Sequence, residues 1–531
     1  MDSSKDIESS EHEHVSPADH EVWADSVAYG PGGMRGLFSN GYVFGAAFLA
    51  SLGGFSFGYD QGVISIINVM DNFHKAFPQA ETAFGTSFMT SMLLLGAFIG
   101  CFFMPYLCDK ISRKWALTVV VVIFDVGAII QTSAQSYGAL VAGRAIGGVG
   151  VGTLAMAAPL YISEISPPEL RGTLLVLESI SIVSGVVIAF WITYGTQYLT
   201  SEASFRLPFA LQMVCATILG VGIHFFPYSP RWLALVDRRD ECLVSLSKLR
   251  KLPPTDDRVQ AEYKGIITEV EFQRLVLEKN HPGVTGVRLE VQSWLELFRR
   301  RNWHRTAVGC GVMFFQQFSG INAFIYYAPT LFENLGQNDH MSLIMSGIFN
   351  ILQLVAVLVC FVIIDKVGRR PLAIFGAVGS TICYVLITIL SGLYSQDWPA
   401  HPAAGWATVA MAFCFILVYG VSYSPLGWAI PSEVFSTATR SKGVALSVCV
   451  NWLCNFIVAI AIPPMMANKG YQTYIFFTVM CLLAAVWAVL LVPETKGKTL
   501  EEMDEVFGDV QGQEEQVLMR QAMISVNQET V

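Results

Sequence analysis

The sequence predicts an all-α membrane protein: twelve transmembrane helices in two six-helix bundles, with a cytoplasmic helical insertion between them. Three observations predict it. Only 14% of the 531 residues are charged, against roughly 25% in a soluble globular chain, and so few charges cannot clothe a water-exposed surface. Apolar stretches of about 20 residues, long enough to cross a ~30 Å hydrocarbon core as helix, recur twelve times. Three short charged motifs also occur twice, in the same order, once in each half of the chain.

The apolar stretches run approximately over 42–65, 84–106, 115–134, 137–159, 172–196, 207–226, 304–333, 341–364, 371–393, 404–430, 441–463 and 471–492. Several contain Gly or Pro, which a bundle interior tolerates because neighbouring helices satisfy the freed backbone. Forty-five glycines suit helix pairs that must approach closely without a hydrophobic drive between them. Nine of the eleven cysteines fall within apolar runs and read as reduced packing residues. Residues 1–41 are polar, acidic and aperiodic, and are expected to be a disordered cytoplasmic tail. No short apolar stretch with a small-residue cleavage site precedes Tyr42, so the first span is expected to act as the signal anchor.

Lys and Arg set the orientation. The loops after stretches 2, 4, 6, 8 and 10 carry DKISRK, ELRG, a basic segment from Arg231 to Arg305, DKVGRR and ATRSKG; the opposite loops hold only a few cations, such as Lys75, Arg206 and Lys469. By the positive-inside rule the basic loops and both termini are cytoplasmic. The expected organisation is a bundle over 42–226, a helical linker over 227–303 with amphipathic spacing, a second bundle over 304–493 and a cytoplasmic tail over 494–531.

The repeat is specific. DKISRK (109–114) matches DKVGRR (365–370), SEISPPELRG (163–172) matches SEVFSTATRSKG (432–443), and PYSPR (227–231) matches PETKG (493–497). Seven residues separate Glu164 from Arg171, and seven separate Glu433 from Arg440. A duplicated six-helix unit is a transporter architecture, with the substrate near the midplane between the halves.

Together with QQFSGINAFIYY (316–327), these motifs resemble the sugar porter family of the major facilitator superfamily from about residue 42 to 507. The overall texture is similar to the fungal monosaccharide carriers. The resemblance implies two bundles rocking around a central sugar site, and a cytoplasmic ring of ion pairs that crosses the halves when the inner gate is shut. Asp109, Arg113, Glu164, Arg171, Asp365, Arg369, Arg370, Glu433, Arg440 and Glu494 all fall at cytoplasmic helix ends and are the expected gate; plain anchoring by the bases is the simpler alternative. Pro105 and Ser112 stand where the family usually has Gly, and Tyr228 where it has Glu.

A sugar needs amides, which both donate and accept, and aromatic faces for its C–H surface. Such groups inside apolar helices carry a penalty of several kcal/mol each when unsatisfied. The seventh stretch concentrates Gln316, Gln317, Asn322, Tyr326 and Tyr327; the eleventh adds Asn451, Trp452 and Asn455, and the tenth Trp428. Each matches the sugar-contacting pattern of the family at its own motif, although amides also tie helices together. Gln353 stands where the family has Asn, with Asn350 one turn earlier; Ser179, preceded by Glu178, replaces a family Gln. These ten positions, Ser179, Gln316, Gln317, Asn322, Tyr326, Gln353, Trp428, Asn451, Trp452 and Asn455, are the expected substrate site.

Asp60, deep in the first stretch, costs on the order of 3 kcal/mol on insertion and is a functional candidate for that reason. Arg144 in the fourth stretch is its natural partner. In the resembled family an Asp here accompanies proton coupling; a static ion pair joining the two helices is the alternative. The expected function is therefore import of a hexose or pentose across the plasma membrane by alternating access and proton symport, with the sugar, protons and the lipid bilayer as partners and no nucleic acid. A sugar-acid (uronate or quinate-like) symporter, a passive facilitator and a nutrient sensor on the same fold are the competing readings. No metal-spaced His/Cys/Asp cluster and no nucleophile elbow occurs in the sequence, so no enzyme, metal or cofactor is expected.

Overall fold

The computed structural model describes residue 29 and residues 41–284, 286–436, 439–496, 503, 506–507 and 511–529. Apart from Tyr29 and Gly41, which already starts the first helix, the tail expected to be disordered lies outside the described residues. Twelve membrane-length apolar helices are present among the described residues. They are α1 (Gly41–Ile67), α2 (Ala83–Ile111), α3 (Arg113–Ser133), α4 (Tyr137–Ile165), α5 (Arg171–Thr196), α6 (Ala203–Gly222), α7 (Trp303–Phe318 and Ile321–Asn334), α8 (Asp339–Val367), α9 (Arg369–Tyr394), α10 (Pro402–Val421 and Tyr423–Val434), α11 (Arg440–Lys469) and α12 (Gln472–Leu491). Large apolar side chains such as Phe103, Ile129, Val362, Leu393 and Leu490 point outward, as a lipid-facing surface requires.

Most of the helices reach further than the apolar runs at one or both ends, because their polar ends continue past the hydrocarbon-length core. Two spans expected to be continuous are broken. In α7 the break is at Gly320, whose φ of +89° suits glycine; a Cβ there would also sit 2.5 Å from the Tyr384 hydroxyl. A second kink follows at Tyr327, just before Pro329. In α10 the break falls at Ser422, ahead of Pro425, where proline removes a helix hydrogen bond.

Glycine sets the closest helix pair. Gly54, Gly58 and Gly62 lie one turn apart along α1, facing Glu178, Ile182 and Val186 of α5. A Cβ on Gly58 would lie 1.8 Å from the Ile182 carbonyl oxygen. Gly58→Ala is therefore expected to force α1 and α5 apart and sharply reduce mature protein in the membrane fraction by immunoblot. Gly138→Ala, where a Cβ meets nothing within 4 Å, is the control, and equal abundance of the two variants would refute the packing argument.

Between the bundles lie short helices at Pro230–Leu235, Arg239–Arg250, Asp257–Asn280 and Val287–Glu296. The C-terminal helix Gln511–Glu529 docks on the third of these, burying Ala522 against Phe272 and Val276, and Val526 against Ile267 and Val270. Tyr29 reaches the same region: its N–H donates to Glu169 and its hydroxyl to the Arg258 carbonyl, both at 3.0 Å.

Candidate functional site

The amides of α7 flank its break at Gly320. The Asn322 amide donates to Gln317 Oε1. Gln316 donates to the Tyr423 and Ser424 carbonyls at 2.9 and 3.3 Å, satisfying backbone at the break of α10, and accepts from Asn451 of α11 at 2.8 Å. Gln316 rests on Gly427, next to the half-buried Trp428. Gln316 and Asn451 thus knit α7, α10 and α11 together, and little of their hydrogen-bonding capacity is left open.

Tyr326 joins the two halves. Its hydroxyl accepts from Asn455 of α11 at 3.1 Å and from Gln61 of α1 at 2.8 Å. Its carbonyl accepts from Asn68, just past α1, at 3.3 Å. Tyr327 donates to the Ala459 carbonyl at 2.8 Å. Trp452 packs edge-on to Phe57 of α1, with ring centroids 5.0 Å apart.

Several buried polar atoms of these helices lack a strong hydrogen-bond partner: Asn350 Oδ1, Gln353 Oε1 and Asn455 Oδ1 as acceptors, and as a donor the Trp452 indole N–H, which has only the Cys101 thiol beside it. Unpaired buried groups are rare in native proteins and mark a place where something else supplies the partner. A sugar hydroxyl both donates and accepts, so it matches this mixed set. Both Asn350 and Gln353 are buried with an open oxygen, so neither amide of α8 is used up by a helix–helix hydrogen bond through that atom. Ser179 is half-buried on α5. Gln61 and Asn68 were not singled out in the sequence; the signal for Gln61 was an amide beside Asp60 in an otherwise apolar helix.

Asp60 and Arg144 are both fully buried and meet at 3.5 Å through Asp60 Oδ2. The contact is long for a charged pair, and Asp60 Oδ1 has no partner. Arg144 is held independently, donating to the Met89 carbonyl at 3.0 Å and to Gln131 at 3.5 Å. Protonation of Asp60 would therefore leave the guanidinium anchored.

The cytoplasmic charges pair differently from the sequence expectation. Among the described residues, the ion pairs of Arg113 and Arg369 close within each half rather than across it. Arg113 holds Glu164 in a bidentate fork, with Nη2 at 2.9 Å, and Asp109 at 3.0 Å. Arg369 holds Glu433 likewise, with Nη2 at 2.7 Å. The reason is topological: each DK-x-x-R turn and the acidic end of the helix two spans later belong to one bundle. The repeat extends to hydroxyls, for Ser229 of PYSPR donates to Glu164 and Thr495 of PETKG to Glu433.

Glu494 caps α9, accepting from the Arg369 and Arg370 backbone N–H groups at 3.0 and 3.3 Å. Partial burial works to raise its carboxyl, but backbone donors from Lys496, Arg369 and Arg370 hold it below the usual range. Arg370 instead donates to the Val489 carbonyl at 2.8 Å. Arg440 starts α11, half-buried; the side chains of Arg171 and Asp365 lie outside the described residues. Tyr228, which replaces an acid, packs under the Lys114 ammonium, 4.6 Å from the ring centroid. Ser112 occupies the tight α2–α3 turn at φ +91°, matching Gly368 at +100°, so the turn forms without glycine.

Contacts across the halves come from elsewhere. On the linker helix Val287–Glu296, Glu290 pairs with Lys442 of α11, and Trp294 packs on Phe102 of α2 with centroids 5.6 Å apart. At the opposite end, Tyr194 of α5 meets His340 of α8 at 3.4 Å. Gln317, Asn322 and Asn455 are at most 5% exposed, so the central amides are sealed from bulk water. No group of three or more His, Cys, Asp or Glu positioned to hold a metal ion is present among the described residues.

Comparison with known proteins agrees with this architecture. The family described as "Sugar (and other) transporter" matches residues 46–507. The chain is 32% identical over 488 residues to a high-affinity glucose transporter of Kluyveromyces lactis, covering 88% of this chain and 85% of the relative. It is 32% identical over 484 residues to a probable quinate permease of Aspergillus niger, covering 88% of each. Among solved structures it is similar to the proton:xylose symporter XylE of E. coli bound to 6-bromo-6-deoxy-D-glucose, with TM-score 0.71 and 26% identity over 88% of this chain and 99% of that one. With its twelve spans, duplicated charged motifs and central amides, the chain is a multi-pass membrane sugar transporter and belongs to the sugar porter family of the major facilitator superfamily.

Proposed function

We propose that the protein imports a neutral monosaccharide, a hexose or pentose, across the plasma membrane with a proton, by alternating access, with both termini in the cytoplasm. The observation that carries the reading is the Tyr326 hydroxyl. It accepts from Asn455 in the amide cluster and from Gln61, the residue after Asp60. A shift of α1 when Asp60 gains or loses its proton thus reaches the sugar amides through one hydroxyl. In this reading Gln317, Asn322, Gln353, Asn455 and Trp452 contact the sugar, Gln316, Asn451 and Tyr326 position them, and Trp428 and Ser179 line the pocket. The Arg113 and Arg369 clusters brace the inner ends of the two bundles, and the linker helix closes the inner gate over them.

A neutral sugar fits better than a sugar acid. An anion needs a free cation in the cavity, and the buried Arg144 is engaged by Asp60, Met89 and Gln131. The test is uptake by cells lacking their own sugar carriers, using labelled hexoses, pentoses, a uronate and quinate, with and without an uncoupler. Saturable, uncoupler-sensitive accumulation of one neutral sugar is expected. Preference for an acid, or accumulation indifferent to uncoupler, overturns the corresponding half of the proposal.

Gln317→Ala and Asn322→Ala are each expected to weaken apparent sugar affinity by about 1–3 kcal/mol, the usual penalty for orphaning a buried polar partner. Membrane abundance should hold. Transport with unchanged half-saturation in both variants would make these amides structural.

A further inference from the structure

The seam between α1 and α5 contains a second carboxyl group that the proton pathway above does not use. Along α5, Glu178, Ile182 and Val186 are spaced one turn apart and oppose Gly54, Gly58 and Gly62 of α1. Two steps of this ladder are apolar residues set against glycine backbone. The third is an acid, whose Oε1 would lie 2.5 Å from a Cβ on Gly54. Glu178 is 3% exposed, and neither of its buried oxygens has a side-chain partner; the nearest donor is the Gly54 backbone N–H.

The charged groups on the helices packed against α5 are committed elsewhere. On α1, Asp60 faces Arg144; on α4, Arg144 faces Asp60 and Glu164 faces Arg113; on α6, Arg206 faces Glu202; on α8, His340 meets Tyr194 at the far end of α5. Tyr59 on α1 has a buried hydroxyl without a partner and does not bond to Glu178. No described cation pairs with Glu178. An ionised carboxylate so placed would be stripped of water with at most the Gly54 N–H in exchange, which in an apolar interior is far more costly than carrying a proton. Burial without a paired cation therefore favours the neutral acid at this position.

Depth gives the group a use. Glu178 is seven residues from the start of α5 at Arg171, and Asp60 seven from the end of α1 at Ile67, each about 10 Å along its helix. The proposed orientation puts Glu178, on the α5 side of α1, toward the cytoplasm and Asp60, on its α4 side, toward the outside. We propose that Glu178 is a second proton-binding group of the transport cycle, neutral in the closed arrangement and ionised when water reaches the inner end of the α1–α5 seam. In that step its O–H bond breaks, the proton passes to a water molecule on the inner side, and the hydrated carboxylate remains until the reverse transfer re-forms the acid before the seam closes. The inference rests on the proton-coupled reading, and goes beyond it in naming the inner exchange site.

Infrared difference spectra of the full-length protein in lipid vesicles, with pH stepped on both faces, test it directly. A carbonyl band of a protonated carboxyl should bleach as pH rises, be lost in Glu178→Gln and persist in Asp60→Asn. In transport assays with D-glucose and D-xylose, Glu178→Gln should retain sugar counterflow but lose uphill accumulation, and Glu178→Asp should restore part of it. A band that never bleaches, or one unaffected by Glu178→Gln, overturns the proposal, because the acid is then a permanently neutral packing residue. Wild-type accumulation indifferent to uncoupler would instead count against proton coupling itself, and the spectra report separately on Glu178. Should Glu178→Gln fail to reach the membrane, the wild-type titration and the Glu178→Asp variant decide.

Discussion

Replacement of Asp60 by Asn is expected to abolish accumulation of sugar against a gradient while leaving sugar-for-sugar exchange in place. Asparagine keeps the acceptor oxygen that faces Arg144 but cannot carry the exchangeable proton, so it imitates the protonated state permanently. The guanidinium should stay where it is, since the Met89 carbonyl at 3.0 Å and Gln131 at 3.5 Å hold it without Asp60. Net uptake should then lose its dependence on external pH. Exchange survives because that half-cycle needs no deprotonation. The measurement is uphill uptake and counterflow in the same vesicles. A variant that still concentrates sugar in an uncoupler-sensitive way would place the external proton site elsewhere; a wild type indifferent to pH and uncoupler would leave Asp60 as a fixed ion pair.

The duplicated arginine clusters should differ in what they contribute to stability. Arg113→Ala leaves Glu164, whose side chain is 1% exposed, with the Ser229 hydroxyl as its remaining close donor among the described residues. An orphaned buried charge typically loses 3–5 kcal/mol, so a cost of roughly that size is expected as a large fall in thermal midpoint and in membrane abundance. Arg369→Ala removes the matching pair, but Glu433 is 27% exposed and water can replace much of the lost interaction, leaving a loss of roughly 1 kcal/mol. Adding Glu164→Gln to Arg113→Ala should recover part of the loss by removing the stranded charge. Equal losses at the two sites, measured by thermal unfolding of the purified protein in one detergent, would show that burial does not set the difference.

Much of the fold is legible in the sequence because a bilayer restricts what a chain can do. Twelve apolar stretches become twelve spans since only a helix satisfies its own backbone in hydrocarbon. The same solvent makes polar residues conspicuous: Gln316, Gln317, Asn322, Asn451, Asn455, Asp60 and Arg144 stand out in apolar runs, and all are buried in the structure. Repetition of the charged motifs marks the two halves, and the repeat extends to the matched hydroxyls of Ser229 and Thr495.

Tertiary structure decided how those groups are spent. Composition alone does not separate an amide that ties helices, such as Gln316 of α7 bonded to the break of α10, from one with an open atom, such as Gln353. It does not reveal that Arg113 and Arg369 turn to acids of their own bundles, which depends on the helix ends the fold brings together. Gln61 acquires its meaning only when Tyr326 is placed opposite, and Glu178 only when the glycine face of α1 closes over it. Periodicity and polarity along one helix act locally, within a few residues, so the sequence by itself determined the spans, their repeat and the buried polar set. Which atom meets which depends on helix rotation and approach, set by close packing of residues far apart in the chain, and only the folded arrangement decided it.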